Sequence, residues 1–428
     1  TMGTRTRFGR GGMFAVALSV ASALVLSACS DDGDSADDSA GKNLDGRGAI
    51  SFAMGKNDLD LIRPVVASWN KAHADEQVKL VELPGEADDQ RSRLVQSLQA
   101  KNSEFDVMAL DVTWTAEFAA NGWLEPLTGD LAIDTAGLLP ATVESATYRD
   151  VLYAGPQNTN AQLLYYRKDI VGNKAPENWA ALTESCAKAK AKKVDCLVTQ
   201  LKQYEGLTVN ASQFIHSWGG QVVGSDGKTP EVNSTKAKEG LSALVDAYKK
   251  GLIPKKATGF TEEETNLSFV GGESAYAYNW PYMYTNAGDA ESKVKGKFGV
   301  AAIVGPDGAG ASTLGGYNDG INVYSKHKAT ALDFIKYIQS AENQKSFAKA
   351  SFPPVLASIY DDKGLVKEFP YLPALKDALE NAKPRPVTPY YNGVSKAIQD
   401  NTYAALNGSK TVDQAAADID AAIKVATK

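Results

Sequence analysis

The alternation of short apolar runs with stretches of helical period is what most constrains how this chain can fold. Residues 48–54 and 78–83 read as strands, and between them Leu59, Ile62, Val66 and Trp69 recur at the spacing of one helix face. A second helical stretch through Leu94, Val95 and Leu98 leads to the apolar run 105–112. A short helix over 114–121 follows, with Gly122 placed to close it. Strand, helix and strand in this order predict a parallel sheet covered by helices. After Gly155-Pro156 the pattern restarts, with a strand over 163–166 and a helix over 176–190 that carries Trp179, Leu182 and Cys186 on one stripe. Another helix spans 235–250, opened by Asn233 or Ser234 and closed by Gly251 and Pro254. Strands are expected near 274–278, 298–304 and 320–324. The C-terminal part reads as helical, with Thr411 and Gln414 at capping-box spacing ahead of Ile419 and Ile423. The simplest architecture is two α/β lobes with a helical C-terminal portion.

The residues ahead of this body read as an address and a tether. Arg5, Arg7 and Arg10 precede an apolar run over 13–26, shorter than the ~20 helical residues a hydrocarbon core needs and suited to a signal peptide. The run ends in Leu26-Ser27-Ala28-Cys29, which looks like a bacterial lipobox, so residues 1–28 are expected to be removed and Cys29 to be lipidated. Residues 30–46 hold six Asp, one Lys and almost no apolar side chain, the composition of a flexible acidic tether. The formal charge of -6 therefore mixes a cationic signal, an acidic tether and a body of about -4 from residue 47 onward. Nothing in that balance suggests a nucleic-acid partner. Cys186 and Cys196, in an exported chain, are expected to form a disulfide closing a small loop, the alternative being two buried thiols.

Catalytic signatures are scarce. The sequence has no G-x-S-x-G elbow, H-E-x-x-H, P-loop or C-x-x-C. With three His and three Cys in 428 residues, neither a metal site of those ligands nor a cofactor is expected. His73, His216 and His327 read as surface or packing residues. Asp111 and Glu117 are the nearest pair of acids for glycoside hydrolysis, although a cap and a solvated helix face account for them equally well.

Polar and aromatic residues do gather where strands end, which is where open α/β sheets bind ligands. Asn57 and Asp58 follow the first strand. Asp111, Thr113 and Trp114 follow the third, and Asn158, Thr159 and Asn160 flank the presumed passage between lobes. Asn279-Trp280-Pro281-Tyr282-Met283-Tyr284 supplies flat aromatic faces beside an amide, as a sugar with apolar C–H faces and hydroxyl edges requires. Gly315-Gly316-Tyr317-Asn318 reads as a loop that a ligand could approach closely. Three prolines between 384 and 389 stiffen the segment presenting Arg385.

Taken in order, these blocks resemble the family 1 extracellular solute-binding proteins of bacterial ABC importers, and most of all the trehalose- and maltose-binding members. The matching elements are the lipobox, the Phe105-to-Trp114 block and Asn158-Thr159-Asn160. They continue with Asn279-Trp280-Pro281-Tyr282, Leu314-Gly315-Gly316 and Arg385-Pro386-Val387-Thr388-Pro389. The resemblance implies a type II two-lobed periplasmic-binding-protein fold, each lobe a sheet flanked by helices, with a hinge between them. One lobe would comprise 47–156 with about 310–358, the other 157–309 with about 359–428. It also implies that Asp111, Asn160 and Arg385 bind hydroxyls, that Trp280 and Tyr282 stack on a sugar, and that Gly316 offers backbone groups. Asn57, Asp58, Trp114, Asn158, Glu262 and Tyr317 are weaker transfers from the resemblance, and the run Glu262 to Glu264 has no single counterpart. The expected protein is a monomeric, non-enzymatic receptor held by its lipid at the outer face of the bacterial cytoplasmic membrane, delivering a disaccharide or short oligosaccharide to an ABC permease. A secreted, lipid-anchored glycoside hydrolase is the alternative.

Overall fold

The alternating pattern folds into strands β1 (Ile50–Gly55), β2 (Val78–Leu83), β3 (Val107–Asp111), β4 (Thr147–Tyr148), β5 (Val151–Leu152), β6 (Ala154–Ala161), β7 (Leu163–Arg167), β8 (Asp195–Val198), β9 (Ser274–Asn279), β10 (Phe298–Ala301) and β11 (Leu314–Ile321). The computed structural model describes residues 46–428, within a compact unit that runs from residue 45 to the C-terminus. The expected signal peptide, Cys29 and the tether up to residue 45 lie outside the described residues. One sheet has the order β2-β1-β3-β11-β6, a second has β10-β7-β9-β8, and β4 pairs with β5 in a separate hairpin.

β1, β2 and β3 are parallel and connected by the helices Leu59–Ala72 and Ala87–Gln99. The two-residue period of the strands divides their side chains between two cores. Phe52, Met54, Val107 and Ala109 pack with Ile62, Trp69 and Phe334, whereas Ala53, Met108 and Leu110 pack with Leu94, Leu98 and Phe118. The sheet as a whole is not the parallel one expected. β11 runs antiparallel to β3, and β6 antiparallel to β11. Local periodicity identifies a strand but carries no information on the direction of a partner that arrives from a distant part of the chain.

Two boundaries also move. Gly155 and Pro156 lie inside β6, an edge strand where proline is tolerated, and do not separate the sheets. The register slips between Tyr317 and Asn318, which leaves Gln157 as the extra residue of a bulge. The chain passes from the first sheet to the second at Gln162, the single residue between β6 and β7. The strand expected at 320–324 is centred earlier, so Gly315 to Asn318 form part of β11 rather than a loop. Gly316 has φ +106°, and a Cβ there would lie 2.4 Å from the carbonyl oxygen of Asn158, so glycine is required by both conformation and close approach.

In the second sheet β7 is antiparallel to β9 and β10, while β8 is parallel to β9. A disulfide between Cys186 and Cys196 joins the helix Trp179–Ala191 to β8, with the two Cα atoms 5.2 Å apart. The helix Glu205–Ser217 shows no amphipathic pattern because residues 206–215 are buried on every side. It is enclosed by the helices Thr235–Lys249, Tyr391–Leu406 and Val412–Ala426, which share one apolar cluster. The last helix opens with a capping box, in which the Gln414 amide N–H donates to Thr411 Oγ1 (3.1 Å) and the Thr411 amide N–H donates to Gln414 Oε1 (2.9 Å). Among the described residues no helix is long and apolar enough to cross a membrane.

Gly240 sets how closely the helix Thr235–Lys249 approaches Glu205–Ser217, since a Cβ there would sit 2.3 Å from the carbonyl oxygen of Phe214. Helix propensity alone would make Gly240→Ala stabilising by ~1 kcal/mol. The forced separation is expected to reverse that sign and cost about 1–3 kcal/mol in urea unfolding, and a neutral or stabilising result removes the close approach as a constraint.

Candidate functional site

The site is assembled where the carboxyl ends of β1, β3, β6 and β9 meet the start of β11, beside the passage between the sheets. Asp111 ends β3 opposite Tyr317, and the Val112 amide donates to the carbonyl of Gly316 (3.2 Å). On the other side of β11, Asn158 lies opposite Tyr317 and Asn160 opposite Gly315. Trp280, one residue past β9, brings its indole against the same glycine. A Cβ on Gly315 would stand 3.3 Å from the ring and 3.1 Å from Asn160 Cβ, so the missing side chain is what admits the indole. The Trp280 backbone is fixed on both sides, its amide donating to Asn279 Oδ1 (2.9 Å) and its carbonyl accepting from the Tyr165 hydroxyl (2.8 Å).

Arg385 enters from the proline-stiffened segment, which lies alongside the entrance to β11. The Leu314 amide donates to the Lys383 carbonyl, and the Lys383 amide to that of Ser312, both at 2.9 Å. The guanidinium is buried and pairs through Nη1 with Glu205 Oε1 at 3.0 Å. Glu205 begins the helix Glu205–Ser217 and also accepts from the Tyr391 hydroxyl and from Ser395 Oγ (2.7 Å). Burial works against the charge on Arg385, and Tyr391, Asp111 and Glu205 more than offset it. The Tyr317 hydroxyl is pushed above its ordinary pKa, first by burial and then by Asp111 and Asp58, with Arg385 opposing. These groups therefore share one electrostatic neighbourhood. Burial likewise raises the Asp58 carboxyl, at the end of the turn Lys56–Asp58 that contains Asn57.

Hydrogen-bonding capacity in this cluster is left open. Asn160 Oδ1 and Arg385 Nε are buried with no partner. Among the described residues the Asp58 carboxylate makes no hydrogen bond, and Asp111 uses only Oδ1, which accepts from the Thr113 amide (2.9 Å) and hydroxyl (2.8 Å). Buried polar atoms are nearly always satisfied in folded proteins, which makes Asn160 Oδ1 and Arg385 Nε candidate partners for a ligand.

Other expected residues have different surroundings. Trp114 is 5 % exposed and packs with Leu110 and Phe118 in the core. Asn158 accepts from the Tyr317 amide through Oδ1 (3.2 Å), which holds the bulge in β6. Tyr282 keeps an open ring, 38 % exposed, while its hydroxyl donates to the Glu262 carbonyl (2.9 Å), and burial raises its pKa to about 12. Glu117 is neither a solvated face nor free for chemistry, being ion-paired to Arg91. The run Glu262 to Glu264 forms the first turn of Glu262–Val270, where Glu264 closes a capping box with Thr261 and Glu262 accepts from the Tyr204 hydroxyl (2.7 Å). Among the described residues no group of three or more His, Cys, Asp or Glu side chains is arranged to hold a metal.

Sequence reasoning does not reach Glu205, whose partners are distant in the chain, or the cavity beside Arg385. This cavity, about 670 Å³, lies between residues 143–150 and residues 216–227 and 383–387. His216 lines it, and burial together with nearby Lys383 lowers its pKa to about 4. Above pH 6.5 the imidazole is neutral in folded and unfolded chains alike. Between 6.5 and 4 the unfolded chain takes up a proton that the folded one refuses, so stability falls as pH drops through that window, by at most roughly 3 kcal/mol. Urea unfolding at neutral and acidic pH is expected to show a smaller loss in His216→Gln than in the wild type; equal losses would exclude His216 as the source.

Comparison with known proteins adds an independent line. Residues 56–345 match the family model for bacterial extracellular solute-binding proteins. A probable ABC transporter-binding protein of Deinococcus radiodurans is 37% identical over 360 residues, covering 79% of this chain and 84% of the relative. The structure is similar to maltose-bound MalE3 of T. maritima, with 32% identity and a TM-score of 0.75 over 88% of this chain and 99% of the other. The cyclic α-maltosyl-1,6-maltose binding protein of Arthrobacter globiformis shares the fold, at 22% identity and a TM-score of 0.78 over 90% of this chain and 100% of that one.

Proposed function

This chain belongs to the family of bacterial extracellular solute-binding proteins, and we propose that it is the lipid-anchored sugar-binding subunit of an ABC importer, taking a disaccharide or short oligosaccharide of the maltose or trehalose type. The observation that carries the reading is the pair of buried polar atoms without partners, Asn160 Oδ1 and Arg385 Nε, with the Trp280 indole beside Asn160 at Gly315 and the Asp111 carboxylate in electrostatic reach of Arg385. A sugar ring offers an apolar face to the indole and hydroxyls to the amide, guanidinium and carboxylates, so one ligand would fill both needs. Tyr282 would add a second aromatic surface, and the backbone at Gly316 a further contact. The transporter role and the sugar class are supported by the Deinococcus radiodurans relative and by the maltose-bound T. maritima neighbour.

In this reading the two lobes divide at Gln162 and at Ser312–Thr313, and they close over the sugar by hinge motion about those crossings. The permease distinguishes the closed form from the open one, and the protein acts as a monomer without altering its ligand. Residues 1–28 direct export, and lipidated Cys29 and the acidic tether hold the body at the outer face of the cytoplasmic membrane.

Calorimetry of the body from residue 47 onward against trehalose, maltose and maltotriose is expected to give one-to-one binding with no sugar hydrolysed. Trp280→Ala and Arg385→Ala should each weaken it roughly tenfold, through lost stacking and charge-assisted hydrogen bonds, without unfolding the protein. Silence across the whole panel would sink the proposal. Cys29→Ser in the full chain should shift the protein from the membrane fraction to the soluble extracytoplasmic one; continued retention would show that the lipid is not the anchor.

A further inference from the structure

The end of the second sheet that points away from the site concentrates positive charge. β8, β9 and β10 begin there and β7 ends there, with Asp195 opposite Ser274 and Phe298 opposite Arg167. Trp280 follows the other end of β9, roughly 20 Å away at the rise of a strand. Residues 167–174, 186–196, 246–256, 271–273 and 289–297 together hold fourteen basic side chains against six acidic ones, a net +8. The body as a whole carries about -4, so everything outside these segments carries about -12. We propose that this face is an adsorption surface for anionic lipid headgroups, which draws the tethered body down onto the membrane. This assignment rests on the membrane anchoring proposed above and extends it, because a lipid fixes only the far end of the tether.

Backbone hydrogen bonds tie these segments to one end of the sheet. The Leu197 amide donates to the Leu252 carbonyl (3.0 Å), the Lys168 amide to that of Lys297 (2.7 Å) and the Lys293 amide to that of Val270 (3.0 Å). Lys256, just past the helix Thr235–Lys249, reaches Asp195 at the start of β8 (2.9 Å). All thirteen lysines of these segments are exposed, and among the described residues every one but Lys256 is without an ion-pair partner. Two of the six acids are taken up internally, Asp169 by Arg167 (2.8 Å) and Asp195 by Lys256. The face therefore presents free cations to solvent.

Helix macrodipoles account for only part of this pattern. Lys188, Lys190 and Lys249 stand in last turns, where a cation is favoured. Lys293, Lys295 and Lys297 lie in the turns before β10 and gain nothing of that kind. Lys193 has φ 58°, in the left-handed position that closes the helix Trp179–Ala191 and ordinarily takes glycine. The Cys186–Cys196 disulfide spans the loop that carries four of the lysines, fastening like charges side by side against their repulsion. The large exposed apolar side chains among the described residues, Leu267, Tyr282 and Val425, all lie outside these segments. Such a face suits adsorption on a charged plane without insertion, each lysine near it strengthening binding about fivefold. The tether cannot serve instead, since residues 30–46 carry six Asp against one Lys and are repelled by the same headgroups.

Cosedimentation of residues 47–428, which contain every described element, is measured with vesicles of pure phosphatidylcholine and of equal parts phosphatidylcholine and phosphatidylglycerol. Binding to the anionic vesicles alone, released by raising the salt, is expected. The triple variant Lys188→Gln, Lys190→Gln, Lys192→Gln should weaken it about tenfold or more. Lys71→Gln, Lys79→Gln, Lys336→Gln, the same charge change on exposed positions beside the first sheet, should leave it unchanged, and both variants should keep the wild-type unfolding midpoint. No binding to anionic vesicles at low salt, or equal losses in the two variants, overturns the adsorption surface. Either result leaves the lipid anchor standing, because fractionation of Cys29→Ser tests that separately. Displacement from the vesicles by one equivalent of a peptide of residues 30–46 would assign the face to the tether and overturn the membrane as its partner.

Discussion

A buried chain of side-chain amides at the passage between the two sheets positions Asn160, Trp280 and the glycines at the start of β11. Gln162 donates through Nε2 to Gln200 Oε1 (2.7 Å) and accepts at Oε1 from Gln213 Nε2 (3.0 Å). Gln213 in turn accepts from the Thr313 amide (3.1 Å), and the Gln162 carbonyl accepts from Ser312 Oγ (2.7 Å). Gln200 reaches the carbonyl of Tyr278 on β9 (2.9 Å), and Asn210 donates to the carbonyl of Gln200 (3.1 Å). All of these amides are fully buried, so each lost partner would leave a desolvated polar group unpaired. Such a network has few alternative arrangements, which is why it can hold five separate chain segments in one register.

The consequence for the site follows from distance along the chain. Asn160 lies two residues before Gln162, Gly315 and Gly316 lie two and three residues after Thr313, and Trp280 lies two residues after Tyr278. Lys383, two residues before Arg385, is paired through its backbone with Ser312 and Leu314. Residues remote in sequence thus become neighbours because each sits a short, rigid step from the same amide cluster. The arrangement separates two tasks. The amides satisfy one another and supply rigidity, while the groups just beyond them are left with open valences on Asn160 and Arg385.

What the sequence makes legible divides along the same line. Strands β1 to β3 and their helices are readable because each buries a face with its own period, as Phe52 and Met54 against Ala53 illustrate. The helix Glu205–Ser217 is legible only as a helical segment at His216, without bounds or a buried face, because burial on all sides removes the period, and the loop expected at Gly315 to Asn318 is a strand because glycine there serves close packing instead of a turn. Trp114 and Trp280 both follow a strand and look alike in sequence. One turns into the core beside Phe118 and the other lies across Gly315, a choice made by tertiary packing that no local pattern encodes. Arg385 can be singled out from its prolines, yet its partner Glu205 stands at the start of a helix whose bounds the pattern does not reveal.

The charges around Arg385 bear on the kind of ligand that suits this site. The guanidinium already has a carboxylate partner in Glu205, itself tied to Tyr391 and Ser395, so an anion seeking that cation would have to displace a network of three bonds. It would also approach Asp111 and Asp58, and burial of the Asp58 carboxyl shows how poorly solvent screens charge there. A neutral hydroxyl meets neither obstacle. Arg385 Nε, buried and unpaired, has a proton to donate to such an oxygen, and Asn160 Oδ1, in the same condition, can accept from a hydroxyl, leaving the ion pair intact. In the proposed reading the site is thus built from charged residues and yet suits an uncharged ligand, because its buried cation, Arg385, already has a carboxylate partner.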